Sequence, residues 1–347
     1  MDPNVVLPLG SSILSFVFAI LLIDQWRAGR RPYQLIWAIG MLWYGVSAGT
    51  EFLGGLAGWT EPLYRTWYLV GAVWVAAWLG LGTVYLLCRT RFGYAFAFSL
   101  FLAGLFTLLA QGRYQYENSG VAPYLYFAIA VILALSIVYL SFRGSERWAD
   151  VAGVVVVGGS IVSAIMMATA ALPAFTAASA VDPQTRIPVG TLFPGYIRLL
   201  TPFFNVTGAF ALGLGALYSA YVFMPKRRVI RYSLMRGQAP AAYLRNAALA
   251  VAAIPVNFMA SLPLALRDLV GGRLNSRVPA TILIAIGALI PAYTSGLNRF
   301  GSTSGFFIGE FLGVLFLFTG YLVSIEVMQT IRIPFTGIVL RARQVEA

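Results

Sequence analysis

Thr66 to Cys88 reads TWYLVGAVWVAAWLGLGTVYLLC, a run without one charged side chain. About 20 apolar residues in a helix cover the hydrocarbon core of a bilayer, so this stretch is long enough to cross. Working outward, comparable segments run Val5 to Ile23, Gln34 to Leu56, Gly93 to Gln111, Pro123 to Phe142, Val151 to Leu172 and Leu199 to Met224. Two more follow, Val278 to Leu297 and Gly305 to Ile325. Period-two alternation is not sustained over successive segments, which argues against a β-barrel. The chain as a whole agrees: 59% of its 347 residues are hydrophobic and 10% charged, with a mean hydropathy of +0.80. A water-soluble domain carries about 25% charged residues. The fold class is an all-α polytopic transmembrane bundle.

Ala247 to Val270 decides how the chain is threaded. It is apolar enough to cross, yet Pro255, Asn257 and Pro263 interrupt it and Arg267-Asp268 close it. Charge arbitrates, because loops on the cytoplasmic side collect Lys and Arg. If the segment stays on one side, only Arg65, Arg113, Arg186, Arg198 and Arg299 fall on the opposite side from the other cations. If it crosses, Arg267, Arg273, Arg277 and the arginines of the tail change sides and the bias weakens. The expected arrangement is nine spans, seven plus two, with 247–270 re-entrant or lying in the interface. A tenth, proline-kinked span is the alternative. Three regions result: a seven-span bundle over 1–224, a basic inner segment over 225–277, and a two-span hairpin with a basic tail over 278–347. The amino terminus is expected outside and the carboxy terminus in the cytoplasm of a bacterial-type inner membrane.

The inner segment from Pro225 to Asn246 holds cations and no acid. Arg228, Arg231, Tyr232, Met235 and Arg236 are spaced for a basic amphipathic helix on an anionic leaflet. On the other side, the proline-rich loop from Pro173 to Arg198 is expected to cover the mouth of the bundle.

Composition removes several chemistries. The chain has no histidine, so His-ligated haem or chlorophyll and histidine proton relays are excluded. Cys88 is the one cysteine, so no intrachain disulfide forms. The one lysine, Lys226, lies in Pro225-Lys226-Arg227-Arg228, a poor setting for a retinal Schiff base, and no Walker lysine exists. No metal motif or nucleophile elbow appears. The net charge of +12 fits orientation in a bilayer rather than nucleic-acid binding. No cofactor is expected.

Three groups of residues are candidates for function. Trp74, Trp78 and Tyr85, with Trp43 and Tyr44 from the preceding span, offer aromatic bulk on one helical face. With the small Gly71 and Gly82 they would shape a groove for a flat hydrophobic ligand or lipid chain; plain helix packing is the competing reading. Gly301, Gly305, Gly309 and Gly313 recur every four residues and would admit a second helix at close range, from this chain or another subunit. Glu310 and Glu51 are acids inside apolar spans, costing about 2.5–3.5 kcal/mol on insertion scales. Each needs protein or water around it. Asn298, Arg299 or a polar group from another span is the expected partner of Glu310, and Arg65 that of Glu51. Asn205 and Asn257 complete a polar set that would line a midplane cavity with Glu310.

These features point first to a non-catalytic subunit, scaffold or sensor that binds lipid, a hydrophobic ligand or protein. A transporter or proton-conducting protein centred on Glu310 is the second reading, and a lipid-active membrane enzyme the third.

Overall fold

The computed structural model describes residues 2–172, 175–233, 239–299, 305–324, 330–332, 334–336 and 338–342. Its long elements are helices: α1 Pro3–Gly29, α2 Pro32–Ala57, α3 Glu61–Leu87, α4 Phe92–Tyr114, α5 Ala122–Phe142, α6 Trp148–Thr169, α7 Gly195–Phe223, α8 Pro240–Val270, α9 Arg277–Arg299 and α10 Phe306–Val323. A short antiparallel pair, β1 Thr330–Arg332 and β2 Val339–Ala342, follows. Proline occupies the first turn of α1, α2, α3, α5 and α8. There its missing N–H has no intrahelical partner to lose.

Among the described residues nine helices are long and apolar enough to cross a membrane, and they include Ala252–Val270 but not α2. Gln34, Ser47, Thr50 and Glu51 dilute the hydropathy of α2, and all four are buried. Its 26 residues still cover about 39 Å. α2 is therefore a membrane-length helix whose polar groups face protein.

α1, α2, α3, α7, α9 and α10 pack in that order into a closed ring, with α10 returning to α1. Phe18, Leu22, Met41, Tyr44, Leu212, Val314 and Leu317 form its interior. α4, α5 and α6 make a second lobe against α3 and α7. The tightest crossing joins α3 to α7. A Cβ on Gly208 would lie 2.0 Å from Ala76 O, and one on Gly80 2.6 Å from Gly208 O. Beside this crossing both helices widen into π turns, Tyr68–Trp74 and Pro202–Val206. Thr201 Oγ1 donates to Tyr68 Oη there at 3.0 Å.

α8 departs from expectation. It is not broken: one helix runs from Pro240 to Val270 with Pro255 and Pro263 inside it. As expected of a segment in the interface, its described contacts gather at one end of the bundle. Phe258 meets Tyr221, within a turn of the end of α7, with ring centroids 6.5 Å apart. Asn257 holds the backbone of Val229 and Ile230, beyond that end. Ala265, Tyr221, Met224 and Val278 share one apolar cluster. The middle of α8 is thus level with the end of α7 and the start of α9, and α8 lies across that end of the bundle. The other nine membrane-length helices stand side by side.

The tail agrees with this threading. Phe335 N donates to Asp24 Oδ1 at 3.0 Å, placing the β hairpin at the end of α1. Arg27, Arg30, Arg89 and the 225–231 segment share that face, called here the basic face. The expected amphipathic helix around Arg228–Arg231 is absent: residues 225–233 are extended or bent, and Met235 and Arg236 lie outside the described residues. Asn257 and Ser261 compete successfully for the amides of this segment, which a helix would have used internally.

On the opposite face the 170–198 loop does cover the end of the bundle. Phe193 stacks on Tyr64 at 5.0 Å, and Tyr64 donates to Val189 O at 2.5 Å. Asn4 Nδ2 donates to Thr185 O at 3.1 Å, tying the start of α1 to this cover.

Candidate functional site

Glu51 and Glu310 come together. Glu51 is 2% exposed and Glu310 9%, and their carboxyl groups are close neighbours. α2 delivers the first, six residues before its end at Ala57, and α10 the second, within its first turn and a half. Trp67 Nε1 donates to Glu51 Oε1 at 2.7 Å. Oε2 of each glutamate has no donor. Tyr44 approaches the same place differently, its hydroxyl donating to the backbone carbonyl of Glu310 at 2.8 Å.

For Glu310 the expected polar group from another span is Glu51, whereas the partner expected for Glu51, Arg65, is engaged elsewhere. Arg65 chelates Glu61 through Nε at 2.8 Å and Nη2 at 2.5 Å, and donates to the carbonyls of Met167 and Ala170. The i,i+4 spacing to Glu61 on one helix wins over the longer reach to Glu51. Asn298 Oδ1 is buried without a donor, and the side chain of Arg299 lies outside the described residues. Among the described residues no cation pairs with Glu51 or Glu310. Two ionised carboxylates in contact, out of water and without a cation, repel strongly. A hydrogen bond between them would need a proton on one, as in the shared-proton dyads of acid proteases.

A polar cavity borders Glu51. It has about 40 Å³ and is lined by Glu51, Asp2, Asn4, Trp59, Arg186 and Phe307. That exceeds the roughly 10–15 Å³ that one water needs. The cavity belongs to the face where the chain begins, so the carboxyl pair sits closer to that face than to the middle. Sequence reading missed the vestibule because Asp2, Asn4 and Arg186 are remote in the chain. The Asp-Pro-Asn start, where Asp2 caps α1 by accepting from Asn4 N at 2.9 Å, was its one local sign.

The polar set with Asn205 and Asn257 does not assemble around Glu310. Asn257 is consumed as a clamp: Oδ1 accepts from Val229 N and Ile230 N at 2.8 and 3.0 Å, and Nδ2 donates to Ile230 O at 2.8 Å. Asn205 lies half-buried in the π turn of α7. It is on a helix that neither carboxylate belongs to.

The aromatic stripe is zipped rather than open. Trp74 Nε1 donates to Ser163 Oγ at 3.0 Å, Trp78 Nε1 to Ser160 Oγ at 3.1 Å, and Tyr85 Oη to Asp150 Oδ1 at 3.4 Å. Trp43 packs on Trp74 at 4.9 Å. Ser47 lies against Gly71 and the Trp37 ring against Gly82, filling the space expected for a ligand. An apolar crevice does exist one helix layer away. Phe96, Leu100, Leu133, Ile137, Val156 and Phe204 line it, and it encloses about 20 Å³.

The glycine ladder is also partly occupied. A Cβ on Gly309 would meet Thr294 Oγ1 at 2.3 Å, and one on Gly313 would meet Pro291 Cγ at 2.2 Å. α9 therefore packs on the Gly309 and Gly313 part of this face, whereas a Cβ on Gly305 would meet nothing within 4 Å. Gly305 caps α10 at φ +93°, a left-handed conformation that glycine adopts without strain. Gly301 lies outside the described residues. Comparison with protein families, curated proteins and solved structures found no match.

Proposed function

We propose that this chain is a non-catalytic multi-pass membrane protein that responds to protons, binding and releasing one at Glu51–Glu310 through the vestibule at Asp2, Asn4 and Arg186. One observation carries the reading: two buried carboxyl groups meet with no described cation beside them, next to a water-sized polar cavity. Structural glue alone is better served by an amide or hydroxyl pair, which needs no proton from solvent. Infrared spectroscopy of the reconstituted protein tests it. A protonated-carboxyl C=O band at neutral pH, shifting on transfer to D2O and absent in Glu310→Gln, is the expected result. No such band, or one that never exchanges, removes the proposal.

The basic face is proposed as cytoplasmic, in a bacterial-type inner membrane, on the rule that cytoplasmic loops gather Lys and Arg. A second reading is a bound lipid chain or other hydrophobic ligand at the apolar crevice between Phe96 and Phe204, which encloses about 20 Å³ and would have to open to admit one. Narrowing that crevice with Leu133→Trp should expel a copurifying lipid visible by mass spectrometry; unchanged lipid content argues against it.

A further inference from the structure

Between Arg245 and Arg267, α8 has no charged residue. Hydropathy alone therefore counts it with the spanning helices. Its outward face is apolar and bare: Leu249, Val256, Met259, Leu266 and Val270 recur at helical spacing and are 41%, 43%, 63%, 62% and 84% exposed. The opposite face carries Asn257 and Ser261, at 1% and 0% exposure. These two clamp the preceding segment across the middle of the helix. Ser261 Oγ accepts from Arg227 N at 2.9 Å, while Asn257 takes both the amide and the carbonyl of Ile230.

The clamped segment is the most cationic of the chain. Lys226, Arg227, Arg228 and Arg231 are all exposed. Arg273 and Arg277 flank them, and the nearby acid, Asp268, is engaged by Arg273 at 3.5 Å. α8 and the strap together form an amphipath that neither makes alone. The helix supplies the apolar ridge and the strap supplies the charge, on opposite sides of one axis. Such a unit cannot be drawn through the hydrocarbon core, because four cations would follow Asn257 into it at about 2.5–3.5 kcal/mol each on insertion scales. It fits the boundary of one leaflet, ridge in the acyl chains and strap among headgroups.

We infer that α8 is an interfacial anchor and that the 225–231 strap binds the phosphates of anionic phospholipids. Charge complementarity selects this partner: the ridge demands an apolar cover, and the cations beside it demand an anionic one. An anionic leaflet provides both in the same geometry.

The test uses the full chain in nanodiscs, in a Cys88→Ser background. A fluorophore on Met259→Cys, an exposed position, reports depth by quenching from lipids brominated at different carbons. Quenching strongest near the headgroup end of the chain is expected. Quenching strongest at the bilayer centre means that α8 crosses, and quenching only by aqueous iodide means that its ridge is free for a soluble partner; either overturns the inference. Phosphate recognition is read separately, from the preference for phosphatidylglycerol over phosphatidylcholine at the protein surface. Replacing Lys226, Arg227, Arg228 and Arg231 by Gln should lower that preference about fivefold per charge removed. An unchanged preference refutes the headgroup site even if the depth result holds.

Discussion

Trp67 Nε1 donates to Glu51 Oε1 at 2.7 Å, and this neutral indole stands where a cation would be expected beside a buried acid. An indole satisfies one oxygen without cancelling a charge. On the proposed reading the remaining stabilisation of Glu51 comes from Glu310 and a proton shared between them. That arrangement holds the α2 and α10 ends together and leaves a proton near water, which a salt bridge would not.

Glu310→Gln keeps a donor against Glu51, so folding should be preserved within about 1 kcal/mol. Glu310→Ala leaves the inward oxygen of Glu51 facing a void and should cost about 1–3 kcal/mol. Denaturant unfolding in mild detergent separates the two. Equal losses would mean that the contact contributes no hydrogen bond.

Gly208 and Gly213 lie on the same helix and differ only in what they face. A Cβ at Gly208 enters the backbone of α3 at Ala76, whereas one at Gly213 finds Leu289 Cδ2 at 3.5 Å, an ordinary contact. Gly208→Ala should therefore destabilise by at least the roughly 1–3 kcal/mol of overpacking. Gly213→Ala should be neutral or slightly stabilising, since alanine is the better helix former. Similar unfolding midpoints for both would contradict the α3–α7 crossing.

How much of this was legible beforehand differs by scale. The spans were readable because hydrocarbon imposes a length and a polarity on each, and the threading because cations label one face. Phe335 on Asp24 agrees with that threading. Pair geometry was not readable. The stripe of Trp74 and Trp78 looked like a groove because sequence shows one helix face at a time; Ser160 and Ser163, which fill its hydrogen bonds, are unremarkable in an apolar run. Glu51 and Glu310 were each singled out as costly acids, yet nothing local to either indicates that the other relieves it. The prolines of α8 misled in the opposite direction. Proline weakens a helix by removing single hydrogen bonds, and the clamp through Asn257 and Ser261 lies beyond what its spacing can reveal.

The indole–serine contacts permit a direct measurement. A double-mutant cycle on Trp74→Phe and Ser163→Ala should give a coupling near 0.6 kcal/mol, the average for hydrogen bonds between helices in a membrane protein. Neither variant should release a ligand, because the stripe is closed by α6. A lipid or pigment lost from Trp74→Phe alone would restore the groove reading.

Asp182 organises the cover over the vestibule. Its Oδ1 accepts from Gln184 N at 3.0 Å, Thr185 N at 2.8 Å and Thr185 Oγ1 at 2.9 Å, and Thr185 O in turn holds Asn4. The backbone amide of Thr185, then its hydroxyl, hold the Asp182 carboxyl below the usual aspartate range. A depressed carboxyl contributes order that is fully present above its unfolded pKa of about 3.9 and is lost as the pH falls through the lower folded value. The cover should accordingly stay closed at neutral pH and loosen only in strong acid. Asp182→Ala should loosen it at every pH, and Asp182→Asn, which keeps an acceptor, should retain most of it without the acid response. Hydrogen exchange of the 182–189 amides reads this directly, and uniform exchange across all three proteins would show that Asp182 does not hold the cover.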